Sequence, residues 1–154
     1  MRISKPRASV YGALGILPPT LAHVAVPFLI VRRAKGRSDR ANVVGLLPAA
    51  AGAALIGWAV ASHYEVAPSD YSIATPEYLV EGGAYGITRN PLYLGGALLW
   101  TGWAVLFRSA RLAVVGAAWF TAVAKVGVPF EERMLERRFG PTYDAYRSRV
   151  PRWL

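Results

Sequence analysis

Cysteine is absent from the 154 residues. Disulfides, thiolate chemistry and cysteine-based metal sites are therefore excluded. Only two histidines occur, His23 and His63, far apart and outside any metal-binding spacing, and no metal site is expected. Acidic residues are also scarce, nine against eighteen lysines and arginines, for a net charge of +9. On a soluble chain that excess would point to nucleic acid. Here charge is missing in a more telling way. Ala8 to Val31, Ala41 to Ser62 and Asn90 to Phe107 carry no charged residue, and Leu112 to Phe130 carries one, Lys125. The basic residues flank these blocks, where they anchor at lipid head groups. Membrane lipids are the expected neighbours and nucleic acid is not.

About 20 apolar residues cross a bilayer core as a helix. Lipid offers no hydrogen-bond partner to a bare backbone, so spanning blocks must be helical. The expected architecture is all-α: one polytopic domain with four transmembrane helices at about 8–31, 43–62, 91–107 and 112–130. An interfacial loop covers 63–90 and an amphipathic helical tail 131–154. A basic start at Arg2, Lys5 and Arg7 is also a feature of secretory signals, but the first block is long and Pro18-Pro19 interrupts it. A kinked span is the preferred reading.

Four spans place both termini and the 63–90 loop on one face. That face carries Arg2, Lys5, Arg7, Arg89 and six tail arginines; the other carries Arg32, Arg33, Lys35, Arg37, Arg40, Arg108 and Arg111. Ten against seven favours cytoplasmic termini. The parity has a sharper consequence. Arg89-Asn90-Pro91 opens the third span and Glu131-Glu132 closes the fourth, so the two clusters share a membrane face. Pro91 suits a first helical turn, where a missing N–H costs nothing. The free N–H groups of that turn favour an anion. Small residues ease close helix packing, and Gly45, Gly52, Ala53 and Gly57 in the second block, with Gly95, Gly96 and Gly102 in the third, are read that way.

Winding 130–139 on a helix at ~100° per residue puts Phe130, Met134, Leu135 and Phe139 on one half of the wheel. Glu131 falls in the middle of that arc. A carboxylate on a packed side is costly unless paired or bonded. Two readings stay open: a structural ion pair with Arg138 or Arg89, or a carboxylate that binds a ligand. Glu132 points elsewhere, near the line of Lys125, which lies about 9 Å inside the fourth span. Lys125 either snorkels to the interface or pairs with Glu132.

Two motifs stand out: Gly83, Tyr85, Arg89, Asn90, Pro91, Tyr93 and Gly95, and then Glu131, Glu132, Leu135, Phe139, Gly140 and Tyr143. In this order around one span they resemble the isoprenylcysteine carboxyl methyltransferase and phospholipid methyltransferase superfamily, over about 79–154. The resemblance implies an integral-membrane methyltransferase that uses S-adenosylmethionine, and the basic bias with the parity of the motifs puts its active site on the cytoplasmic side. By carry-over, Arg89 and Glu131 are the catalytic candidates. Tyr85, Arg89, Asn90, Pro91, Tyr93, Leu94, Gly95, Glu131 and Glu132 are cofactor-binding candidates. Lys125, Tyr143, Tyr146 and Arg149 are candidates on the substrate side. The acceptor is lipophilic: an isoprenylcysteine-type or other lipid carboxylate, or alternatively a phospholipid amine or a thiol. One departure matters. Asn90 stands where the family pattern has histidine, and an amide cannot take up a proton near neutral pH. A dinucleotide fold is not expected, since "GGAYG" follows no strand pattern. An NADPH-dependent lipid reductase and a non-catalytic membrane module are the rival classes; two carboxylates are poor company for a phosphorylated dinucleotide.

Overall fold

The structure is a computed structural model and describes residues 23, 25–30, 42–66 and 78–154. Among these it is entirely helical, with five α-helices and no strand. The expected first span lies largely outside the described residues, as do the 32–40 loop and much of the 63–90 loop. Of the span, 25–30 is helical.

A 3-10 turn at Val43–Gly45 leads into α1, Leu46–Val66. The Asn42 side chain accepts from Val44 N at 3.3 Å and starts the turn. The second helix, α2, is Pro91–Leu106, with proline in its first turn as the sequence predicts. The two lie antiparallel and very close. A Cβ on Gly52 would sit 2.5 Å from Gly95 O, and one on Gly95 would sit 2.7 Å from Ile56 Cγ1. Asn42 N donates to Leu106 O at 3.0 Å and ties the far ends together. Gly45, Gly52, Gly95 and Gly102 thus pack α1 on α2. Gly96 instead meets His23 and Trp119. Gly57 and Ala53 do not serve this interface: Gly57 has nothing within 4 Å of a built Cβ, and Ala53 is exposed. The sequence shows the small residues but not the helical face that meets the partner.

A tight turn joins α2 to α3, Ala110–Ala122. Arg108 takes φ +48°, and Ser109 Oγ caps the new helix by accepting from Leu112 N at 3.3 Å. A wide π turn at Val123–Gly127 continues α3 into α4, Val128–Phe139. Its cause is Pro129, which has no N–H and whose ring crowds the carbonyl of the preceding turn. Ala110 to Phe139 is one rod of 30 residues. A ~30 Å bilayer core is crossed in about 20 residues, so the rod would leave it near Glu131.

Val43–Val66 and Ala110–Phe139 are long and apolar enough to cross a membrane, while α2 is apolar but shorter, at 16 residues. Leu46, Leu47, Trp58, Val114, Val115, Val126 and Phe130 are large, apolar and exposed. Such a surface suits lipid, not water.

After α4 the chain reverses at Gly140, whose φ of +50° only glycine adopts cheaply. The last helix, α5, is Pro141–Arg149. Its Tyr143 and Tyr146, with Val150, form a buried cluster against Leu79, Leu135 and Phe139. The tail is therefore folded back onto the protein.

Candidate functional site

The near ends of α1, α2 and α4 meet α5 at one place. Gly83 begins a 3-10 turn, Gly83–Gly86, with φ +59°. A side chain there would collide with Ser62 Oγ, which accepts from Ala84 N at 3.2 Å and donates to Trp58 O at 2.8 Å. Glycine is required twice over, by conformation and by space. Tyr85 sits in this turn. Its hydroxyl hydrogen-bonds His63 Nε2 at 2.8 Å, and its carbonyl accepts from Tyr146 Oη at 2.8 Å.

Next along the chain come Thr88, Arg89 and Asn90, each tied to residues 151–152. Thr88 Oγ1 donates to Arg152 O at 2.9 Å, Arg89 N to Pro151 O at 2.9 Å, and Asn90 Nδ2 to Arg152 O at 3.0 Å. Thr88, Asn90 and Pro91 are buried. Asn90 precedes α2 without capping it through its side chain. The first turn of α2 has no side-chain cap, and its N–H groups lack an intrahelical acceptor.

The charged centre lies beside this turn. Arg89 Nη1 and Glu132 Oε1 are 3.0 Å apart, with side chains only 10% and 12% exposed. Arg152 grips the same carboxylate from the other side. Its Nε donates to Glu132 Oε1 at 3.0 Å and its Nη2 to Oε2. Arg89 Nη1 also donates to Tyr143 Oη at 3.3 Å, while Arg89 Nε is buried with no partner among the described residues. Glu131 stands apart from both arginines and accepts from Tyr93 Oη at 3.0 Å. Burial raises the pKa of the Tyr143 phenol, with help from the Glu132 charge and against the pull of Arg89. Burial likewise raises Tyr146. Both phenols stay neutral. Glu132 holds the Arg152 guanidinium still more firmly protonated.

The Arg89–Asn90–Pro91 mouth and the two glutamates lie together. The assignment of glutamates to partners is corrected. Glu132, not Glu131, pairs with Arg89, and Glu131 pairs with neither Arg89 nor Arg138. The apolar arc was centred wrongly. Phe130 is 64% exposed whereas Val128 is fully buried, so the packed side of α4 runs through Val128, Leu135 and Phe139. An apolar residue in a membrane helix faces lipid as readily as protein, and a wheel does not separate the two. Glu132 flanks that packed side. The Lys125–Glu132 pair is also absent. The two residues align over seven positions only in a regular α-helix, and the π turn at Val123–Gly127 breaks the alignment. Lys125 is exposed.

The remaining candidates separate by position. Leu94 is half-buried in the second turn of α2, and Gly95 lies within the α1–α2 contact, against Ile56. Tyr143 reaches the charged centre; Tyr146 braces the Tyr85 turn. Arg149 lies outside it and pairs with Glu81. Sequence reasoning missed Thr88 and Arg152. A signal for the tail's return existed: Tyr143, Tyr146 and Val150 follow helical spacing behind a Gly-Pro stop.

A family model for phospholipid methyltransferases matches residues 42–142. Searches of curated proteins and of solved structures returned no match. The matched range runs from the start of α1 through the motif turn, the α2 mouth and both glutamates, and by it the chain belongs to the phospholipid methyltransferase family, a family of membrane-bound methyltransferases.

Proposed function

We propose that this protein transfers a methyl group from S-adenosylmethionine to a lipid acceptor at the membrane surface. It does so as a four-span protein whose charged centre and termini face the cytoplasm. The observation that carries the reading is the division of charge at the α2 mouth. Glu132 is neutralised by Arg89 and Arg152, while among the described residues Glu131 has no arginine and is bonded to the Tyr93 hydroxyl.

The residues fit the donor's chemistry. The methionyl part carries a carboxylate, an ammonium and a sulfonium. Among the described residues Arg89 keeps a buried, unpartnered Nε and the first turn of α2 has no side-chain cap on its N–H groups. Both attract the carboxylate. Glu131 attracts the cationic groups. The donor supplies an already activated methyl. The protein's own task is alignment and exclusion of water. Arg89, Glu131 and Tyr93 hold the polar end, Glu132 holds Arg89, and the Tyr143–Tyr146 cluster closes the side facing the tail. Lys125 and the exposed apolar faces of α3 and α4 line the approach from lipid.

A lipid amine is the acceptor the arrangement supports better. Both arginines at the centre are engaged on Glu132 and the remaining Arg89 Nε is assigned to the donor carboxylate, whereas Glu131, beside the α2 mouth, suits an ammonium and can take its proton. One observation favours the lipid carboxylate instead: Asn90 cannot serve as a base, and a carboxylate needs none. The test is methyl transfer from radiolabelled donor in vesicles. One set contains phosphatidylethanolamine and another a prenylated cysteine peptide in phosphatidylcholine. Label on the amine lipid is expected. Label on the peptide alone reverses the choice of acceptor. Purified protein that binds neither S-adenosylmethionine nor S-adenosylhomocysteine in a titration, but binds NADPH, overturns the methyltransferase reading.

A further inference from the structure

The segment 150–153 lies across the α2 mouth, outside the range that matches the family model. It makes two kinds of bond to the two halves of the centre. Its backbone carbonyls take three donors from three consecutive residues, Thr88, Arg89 and Asn90. Its Arg152 side chain binds Glu132 with both arms of the guanidinium. Trp153 packs on Phe120 with ring centroids 5.1 Å apart, which anchors the segment to the α3 rod.

We propose that Arg152 is a positioning residue for the donor site. Its carbonyl fixes the turn that aims Arg89, and its guanidinium fixes the carboxylate that Arg89 rests against. The neighbours of Arg89 on either side, Thr88 and Asn90, are bonded to the Arg152 carbonyl, and the carboxylate that Arg89 meets is bonded to the Arg152 guanidinium. The Asn90 amide N–H bonds Arg152 O, and the first turn of α2 beside it has no side-chain cap. The arrangement explains the selective burial. Arg89 and Glu132 are nearly closed from solvent, whereas Arg152 is 42% exposed and covers them from outside. A bidentate arginine–carboxylate contact sets orientation as well as distance, which a lysine does not reproduce.

This inference rests on the donor site proposed above, and its test separates the two. Arg152→Ala removes the guanidinium but keeps the carbonyl. Asn90→Asp removes a donor to that carbonyl and sets a carboxylate against it. Purified protein in lipid nanodiscs is followed by titration with S-adenosylmethionine, by the KM for the donor, by thermal midpoint and by amide exchange over residues 87–93. The expected result for Arg152→Ala is about a tenfold loss of donor affinity, with KM rising, the thermal midpoint nearly unchanged and faster exchange over 87–93. Arg152→Lys should recover only part of the affinity. The losses in Glu132→Gln and Arg152→Ala should be less than additive in the double variant, because part of each runs through the Arg152–Glu132 contact. Wild-type affinity and wild-type exchange in Arg152→Ala would overturn the proposal, and so would strictly additive losses in the double variant. If the unaltered protein binds no S-adenosylmethionine, the functional reading fails, and the exchange data alone still decide whether Arg152 holds the turn. If Arg152→Ala does not fold, Arg152→Lys and Asn90→Asp decide.

Discussion

The α1–α2 contact and the seam between α2 and the tail hold one helix from two sides by opposite means. The first is made of glycine and alanine against backbone, with no charge and few side-chain atoms. The second is made of an ion-pair knot and three hydrogen bonds to carbonyls. The difference follows from the surroundings. Between lipid-embedded helices little is gained by burying apolar surface, so close van der Waals packing supplies the attraction. At the head-group level water competes, and specificity comes from charge-assisted bonds that fix geometry. The first contact should govern whether the protein folds. The second should govern whether it binds.

The sharpest way to break that division is Gly52→Leu. A Cβ at Gly52 already falls 2.5 Å from Gly95 O, a backbone atom that cannot rotate away. The expected cost is about 3 kcal/mol, with loss of the folded protein on mild heating. Thermal unfolding in detergent measures it. A wild-type midpoint would mean that α1 and α2 are not in contact as described.

Arg89→Ala should act in the opposite sense. It removes one of two cations on Glu132, and Arg152 remains to satisfy that carboxylate. Stability should fall by only about 1–2 kcal/mol, while affinity for S-adenosylmethionine falls by roughly ten- to a hundredfold. Unchanged affinity in a folded Arg89→Ala protein would remove the α2 mouth from the donor site.

Why was one contact easier to read than the other? The helical spans follow from long uncharged blocks and from the backbone's need for internal partners in lipid. The closeness of the α2 mouth to the glutamates is what a count of four crossings predicts, and the structure shows that closeness without testing the count. Which glutamate does what is not legible, because Phe130 and Val128 are equally apolar in a pattern yet one faces out and the other in. The role of Arg152 is hidden for a different reason. It is one of six similar tail arginines, and what selects it is the reversal at Gly140 together with the docking of Tyr143 and Tyr146. Gly57 looks like Gly52 on paper; only the rotation of α1 about its axis separates them.

Glu131→Gln and Glu132→Gln sharpen the comparison within the seam itself. Among the described residues Glu131 has a hydrogen bond with Tyr93 and no ion pair, so its substitution should leave stability nearly unchanged. It should weaken the positively charged donor by about tenfold and its neutral thioether product much less, since only the donor carries a sulfonium. Glu132 works through Arg89 and Arg152. Its substitution should weaken both ligands alike and lower the thermal midpoint. Paired calorimetric titrations distinguish the two patterns. Equal loss of both ligands in Glu131→Gln would reduce Glu131 to a hydrogen-bond acceptor and leave the sulfonium unrecognised at this carboxylate.

The smallest effect is expected at Gly57, and it tests whether the glycines of α1 differ as their surroundings do. Five residues separate Gly52 from Gly57, which turns the two about 140° apart on the helix. Gly52 faces α2, and its added Cβ would strike backbone. Gly57 is exposed, and a built Cβ there meets nothing within 4 Å. In an open helix interior alanine is favoured over glycine by about 0.5–1 kcal/mol, because glycine loses more backbone freedom on folding. Gly57→Ala should therefore raise the thermal midpoint slightly or leave it alone, while Gly52→Ala lowers it. The decisive measurement is the sign of the two shifts in one detergent. A destabilised Gly57→Ala would show that this face of α1 is packed in the intact membrane protein. Its neighbour would then be another helix or a second copy of the chain, and the glycine-rich contact would extend around α1 instead of ending at α2.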